Sequence, residues 1–167
     1  VIGNPPYLRK QGLIESYPEM CDFYENKYHS ATANYDIYAI FIERSLDLIN
    51  QLGVVSYILP HKFLVTDFGI GIRRFFIENR TVKSILHFGS KMVFADASTY
   101  TCIINLNKTK KDKVYFKKIN PLEINFTFNW DYILYQNLSS NNWDLQSQKV
   151  FDLIDKLKKQ PYTIESV

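Results

Sequence analysis

Little in this chain of 167 residues supports a disulfide framework, a membrane span or a phosphate-cradling glycine loop. Cys21 and Cys102 are the only cysteines, they stand far apart, and no C-x-x-C occurs. A reducing compartment is therefore expected, not a cross-linked secreted fold. No apolar run reaches the roughly 20 residues a bilayer demands, and no signal peptide is visible, so no membrane partner is expected. The six glycines never form G-x-G-x-x-G; Gly69 and Gly71 are the one close pair, and position 74 is Arg. His29, His61 and His87 lack metal-ligand spacing, so no metal is expected. A net charge of +3 permits a nucleic-acid partner without arguing for one.

Aromatic residues are plentiful, with 12 Tyr and 12 Phe. They suit a protein that stacks on flat ligands, and equally an aromatic-filled core. The polar, Tyr-rich stretch 8–34 lacks clean periodicity and reads as a long loop with at most a short helix. A helix then starts at an Asn34 or Asp36 cap and ends at Gly53. Its expected inner face carries Ile37, Phe41, Leu48 and Leu52, and its outer face carries Glu43, Asp47, Asn50 and Gln51. VVSYIL (54–59), closed by Pro60, reads as a buried strand. Thr66 or Asp67 caps a second helix with Phe68, Ile72, Phe75 and Phe76 on one face, weakened at Gly69 and Gly71. Strands follow at VKSILHF (82–88) and TYTCIINL (99–106), joined by the loop GSKMVFADAS (89–98). Strands alternating with helices, then two strands joined by a loop, predict an α/β fold whose sheet is mostly parallel with an antiparallel member at its end.

After Asn107 the texture changes. KTKKDKVYFKK (108–118) holds six Lys and one Asp, a run that suits phosphate contacts or a solvated edge that resists strand pairing. Residues 121–146 read as mixed loop with Trp130 and Trp143, and 147–159 as a helix with Val150, Ile154 and Leu157 inward, stopped by Pro161.

The most informative stretch is Asn4-Pro5-Pro6-Tyr7, which follows Val1-Ile2-Gly3, the end of an apolar strand. Each proline lacks an N–H and pushes its predecessor into an extended shape. The carbonyls of the corner thus point in fixed directions, and the Asn4 side chain adds another oxygen. Two fixed acceptors can take both hydrogens of one –NH₂, while Tyr7 offers a ring face to the plane that bears the amine. Such acceptors favour the pyramidal nitrogen that forms as a conjugated amine attacks a methyl group. No metal, base or covalent nucleophile is required. Asp67-Phe68-Gly69 matches the kinase DFG tripeptide, but no other kinase motif accompanies it.

An NPPY corner after a strand resembles the catalytic motif of S-adenosylmethionine-dependent amino-methyltransferases. With residues 34–64 and 67–106 following in order, the chain is similar to adenine-N6 DNA methyltransferases, nearest to the single-chain type IIG restriction-modification enzymes and their phage-defence relatives. The resemblance implies the second half of a Rossmann-like class I methyltransferase sheet, with a C-terminal extension. Residues 1–107 would be the catalytic half, and 108–167 an extension and helical linker towards a DNA target-recognition domain. Asn4 and the Pro5 carbonyl would hold the adenine amine, with Pro6 completing the catalytic motif. Tyr7 and Phe94 would stack on the flipped base, and Asn4 and Phe41 would contact the cofactor. Phe41 equally suits the core, and Phe94 the sheet end. The glycine-rich cofactor loop would lie upstream, in the remainder of the same polypeptide, so these residues alone would be inactive. Double-stranded DNA in a bacterial or archaeal cytoplasm is the implied setting. RNA adenine and release-factor glutamine methyltransferases share the corner, and a non-catalytic nucleic-acid-binding module is a further alternative.

Overall fold

A computed structural model describes residues 1–94, 99–123 and 129–160. Its centre is a six-stranded sheet: β1 (Ile2–Gly3), β2 (Val54–Pro60), β3 (Val82–His87), β4 (Thr101–Asn107), β5 (Lys113–Lys118) and β6 (Asp131–Leu134), in the spatial order β1-β2-β4-β3-β5-β6. β1 lies parallel to β2, and β3 parallel to β5. β4 runs antiparallel to both β2 and β3, and β6 antiparallel to β5. Four strands therefore point one way and two return, as the α/β reading requires. The returning strand that closes residues 1–107 is not at an edge. It inserts between β2 and β3, pairing with all of β2 from Val54↔Asn107 to Pro60↔Thr101. Sequential strands joined by one loop pair readily side by side, and insertion satisfies both edges of β4.

One face of the sheet carries the core. Val55, Tyr57 and Leu59 of β2 alternate inward with Cys102, Ile104 and Leu106 of β4, and Ile85, Val114 and Phe116 extend the layer. Helices α3 (Ile37–Leu48) and α4 (Ile70–Asn79) supply its other side, through Tyr38, Ile42 and Leu46, and through Ile72 and Phe76.

The inward face of α3 differs from the one its apolar residues suggest. Phe41 and Leu48 are exposed, as is Leu52 beyond the helix, whereas Glu43 is buried. The reason is hydrogen bonding. The Glu43 carboxylate accepts the backbone N–H groups of His29 and Ser30 at 3.0 and 2.8 Å, which offsets the cost of burying it. Ser45, also buried, meets the Tyr57 hydroxyl at 2.5 Å and so ties α3 to β2. Asp36 takes the N-cap position, with no side-chain capping bond.

Residues 8–34, expected as loop, hold two helices, α1 (Lys10–Ser16) and α2 (Pro18–Lys27), the latter with Pro18 in its first turn, where the missing N–H costs nothing. The glycines that seemed to weaken α4 permit close approach. A Cβ at Gly69 would collide with the Phe63 carbonyl oxygen, and one at Gly71 would meet the Ser30 oxygen at 2.7 Å.

Beyond residue 107 the chain continues the same sheet. β5 is flanked by β3 and β6, so its lysines do not guard an edge: Lys117 pairs with Asp131 at 3.4 Å and the Lys113 ammonium sits 4.2 Å from the Tyr132 ring centroid. Trp143 is buried against Phe76, with centroids 5.8 Å apart. Helix α5 (Gln148–Lys158) buries none of its residues; Ile154 and Leu157, expected inward, are exposed, and Phe151 makes its contact with the core. The residues after Gln160, including Pro161, lie outside the described set, as do residues 95–98 of the predicted loop.

Candidate active site

Asn4 to Tyr7 leave β1 at its carboxyl end, the end of a parallel pair where open α/β sheets place ligands. Asn4 and Pro6 are exposed, Pro5 is buried, and Tyr7 keeps 37% of its surface. A buried proline between two exposed residues anchors the corner while leaving its polar side chains facing out.

Tyr7 does more than present a ring. Its hydroxyl donates to Asn4 Oδ1 and lies 3.2 Å from the Ile58 carbonyl of β2. Burial foremost, then Cys102 and Asp36, pushes this hydroxyl up to about 12, so it stays a donor near neutrality. Because the hydroxyl donates, the amide oxygen of Asn4 faces Tyr7, and an amide oxygen retains a second lone pair for another donor. The Tyr7 ring meets Tyr38 of α3 edge-on, with centroids 6.4 Å apart at 87°.

The strand-like pairing of Arg9 with Asp36 closes the site from behind, with Ile37 N–H donating to the Leu8 carbonyl and Lys10 N–H to Tyr35, each at 2.9 Å. Asp36 is buried and its Oδ1 has no partner. Burial pushes its carboxyl up to about 6, against the opposing pull of nearby backbone N–H groups and Arg9.

The remaining expected residues stand on other elements. Phe41 stands on α3 three residues after Tyr38; it is exposed, whereas Tyr38 is buried. Phe94 follows β3, three strands away from β1 in the sheet; it is partly exposed and makes no ring contact among the described residues. The structure thus joins Asn4 and Tyr7 directly, brings Tyr38 to them, and leaves Phe41 and Phe94 apart. The sequence reading missed Tyr38, Asp36 and the Ile58 carbonyl. For Tyr38 a signal existed, since it lies three residues before Phe41. Among the described residues no group of three His, Cys, Asp or Glu side chains could hold a metal ion, and no helix is long and apolar enough to cross a membrane.

Known proteins share this fold. The chain resembles the DNA complex of DrdV solved by cryoEM, with a TM-score of 0.64 at 18% identity over 87% of this chain and 18% of that one. It also resembles a nuclease-deletion mutant of the Type ISP restriction-modification enzyme LlaGI in complex with a DNA substrate mimic, with a TM-score of 0.63 at 19% identity over 90% of this chain and 18% of that one. These likenesses show a shared fold. In sequence, the chain is 35% identical over 159 residues to the Type II restriction enzyme and methyltransferase RM.Eco57I of Escherichia coli, covering 92% of this chain and 16% of that protein. It is 31% identical over 110 residues to the Type II methyltransferase M.BstVI of Geobacillus stearothermophilus, covering 66% of this chain and 19% of that protein. Residues 1–94 match the model of the Eco57I restriction-modification methylase, and the chain belongs to that family. It spans less than a fifth of the length of these two curated relatives.

Proposed function

We propose that these residues form the amine-binding part of an S-adenosylmethionine-dependent DNA methyltransferase that modifies the N6 amine of an adenine flipped out of the duplex. The observation that carries the reading is the corner itself: Asn4 is exposed at the carboxyl end of β1, with its amide oxygen oriented by Tyr7 and a lone pair to spare. The family match and the relatives' printed activities support it.

In this reading Asn4 Oδ1 and the Pro5 carbonyl accept the two N–H bonds of the amine. They strengthen their hold as the nitrogen loses conjugation and its hydrogens gain positive charge. Tyr7, and Phe94 from the far side, replace the stacking lost on flipping, worth about 1–3 kcal/mol per aromatic contact. The chain fits S-adenosylmethionine in part: exposed Phe41 gives an apolar face for its adenine ring, and Asn4 a polar contact. The cofactor, when bound, supplies an electrophilic methyl carbon.

The test is methyl transfer by the complete natural polypeptide, offered DNA, RNA and release factor in parallel. Asn4→Ala should lower transfer to DNA at least 100-fold, because a preorganised acceptor is lost at the developing charge. Unchanged transfer in that variant, or transfer to RNA or release factor instead of DNA, overturns the reading.

A further inference from the structure

Away from the Asn4–Tyr7 corner, three flat rings lie one on another at the same end of the sheet. His87 and His61 stack with centroids 4.3 Å apart at 20°, and His61 and Tyr100 with centroids 5.9 Å apart at 16°. They come from three places in the chain. His87 ends β3, His61 follows the last residue of β2, and Tyr100 precedes β4. His87 and Tyr100 therefore stand at the two stems of the segment that bears Phe94, and His61 lies between them.

Backbone bonds repeat the connection. His61 N–H donates to the Tyr100 carbonyl at 3.1 Å, and Phe88 N–H to that of Thr101 at 3.4 Å. Gly89 N–H donates to His87 Nδ1 at 2.9 Å. Gly89 has φ of +61°, and a Cβ there would meet Lys118 Cε at 2.9 Å, so the chain leaves the stack through a position that suits glycine.

β2 joins this assembly to the corner. Its Ile58 carbonyl lies 3.2 Å from the Tyr7 hydroxyl, and three residues later His61 enters the stack. His61 and His87 line a cavity of about 390 Å³ whose charged lining is Lys118 and Asp144. An acceptor role for His87 Nδ1 requires that nitrogen to be unprotonated. Burial, then His61, then Lys118 lower His87 to about 4, and burial, then Lys62 and Lys118, lower His61 as well. Both imidazoles are neutral near pH 7, which lets them stack without mutual repulsion.

We infer that the His87–His61–Tyr100 stack is a positioning device: it fixes both stems of the Phe94 segment to β2, and through Ile58 sets the placement of Phe94 relative to Tyr7. The three residues touch neither base nor cofactor in this scheme. The inference rests on the reading of Tyr7 and Phe94 as target-base contacts.

The experiment uses the complete natural polypeptide and two duplexes: one with 2-aminopurine in place of the adenine that the wild type methylates, read by fluorescence, and the unsubstituted one, read by methyl transfer. His61→Ala should reduce the fluorescence rise on extrusion and lower kcat about tenfold, with duplex affinity and unfolding midpoint little changed. His61→Phe, which keeps a flat ring, should restore most of both signals. Tyr100→Ala removes the partly exposed end of the stack and carries the same test if His61→Ala fails to fold. Wild-type fluorescence and kcat in the alanine variants overturn the inference, as does equal loss in His61→Phe and His61→Ala. Failure of the underlying reading is distinct: the wild type itself then methylates no DNA adenine.

Discussion

A guanidinium without exposed surface must find every partner inside, and Arg73 does so without a carboxylate. It is fully buried, its Nε donates to the Ser140 carbonyl at 2.8 Å, Nη2 to Asn141 at 2.5 Å, and Nη1 to Thr66 at 2.8 Å and to Phe63. The planar fork matches carbonyls on two chain segments at once, which a lysine ammonium cannot reproduce. Arg73→Lys should therefore cost about 3 kcal/mol or more, since charged hydrogen bonds contribute roughly 1.5–3 kcal/mol each and orphaned carbonyls remain. Denaturant unfolding checks it, as a lower midpoint at unchanged slope. Two titrating residues act oppositely on stability. Asp36, at about 6 when folded against an ordinary 3.8, holds a proton the unfolded chain has released. Its contribution is complete below pH 3.8 and is lost as pH rises through 6. His87, at about 4 against 6.5, contributes above pH 6.5 and loses that contribution as pH falls through 4. Asp36→Asn mimics the protonated acid, so it should gain stability relative to wild type between pH 4 and pH 7. Parallel profiles for the two proteins would refute this assignment.

Among the elements, the strands and the apolar face of α4 were readable, and the inward faces of α3 and α5 were not. β2, β3 and β4 fall within two residues of the apolar runs that announce them, because a strand in a packed sheet needs little beyond apolar β-branched sequence. Helix α3 defeats the same logic. Its period predicts a seam through Phe41 and Leu48, yet Glu43 and Ser45 are inside, each held by a partner distant in sequence that no local window contains. Tyr38 could be reached through its spacing from Phe41, but its contact with Tyr7 could not, whereas the Asn4–Tyr7 corner was legible because two prolines constrain the backbone whatever surrounds them. The Glu43 interaction has a measurable consequence. Glu43→Ala frees the His29 and Ser30 amides and should cost about 1–3 kcal/mol, with faster amide exchange at those residues. Gly71→Ala presses on the Ser30 carbonyl from the other side. The two changes act on one segment, so the double variant should lose a different amount from the sum, by at least about 0.5 kcal/mol in a double-mutant cycle.

At the scale of the molecule, the stretch before α5 completes the core, although it reads as mixed loop. Trp143 sends its backbone N–H to the Leu64 carbonyl at 2.6 Å and its Nε1–H to Ser139 at 3.0 Å, while Arg73 holds Ser140 and Asn141. A single indole in an aperiodic run gives no pattern from which its depth can be read; only the closed fold reveals the slot beside Phe76. Helix α5, with a clearer helical pattern, matters less to the core because it buries none of its residues. The two segments should separate under truncation. A chain ending at residue 147 loses α5 and should keep one cooperative transition, with a midpoint close to that of the 167-residue chain. A chain ending at residue 137 loses Trp143 and strips Arg73 of two carbonyl partners. Removal of a buried tryptophan side chain alone costs about 3–5 kcal/mol, and the bare guanidinium adds to it. That is a large share of the roughly 5–15 kcal/mol that stabilises a typical domain, so the shorter chain should show no cooperative unfolding by near-ultraviolet circular dichroism. Equal midpoints for the two truncations would mean that residues 138–143 are held by the fold without holding it.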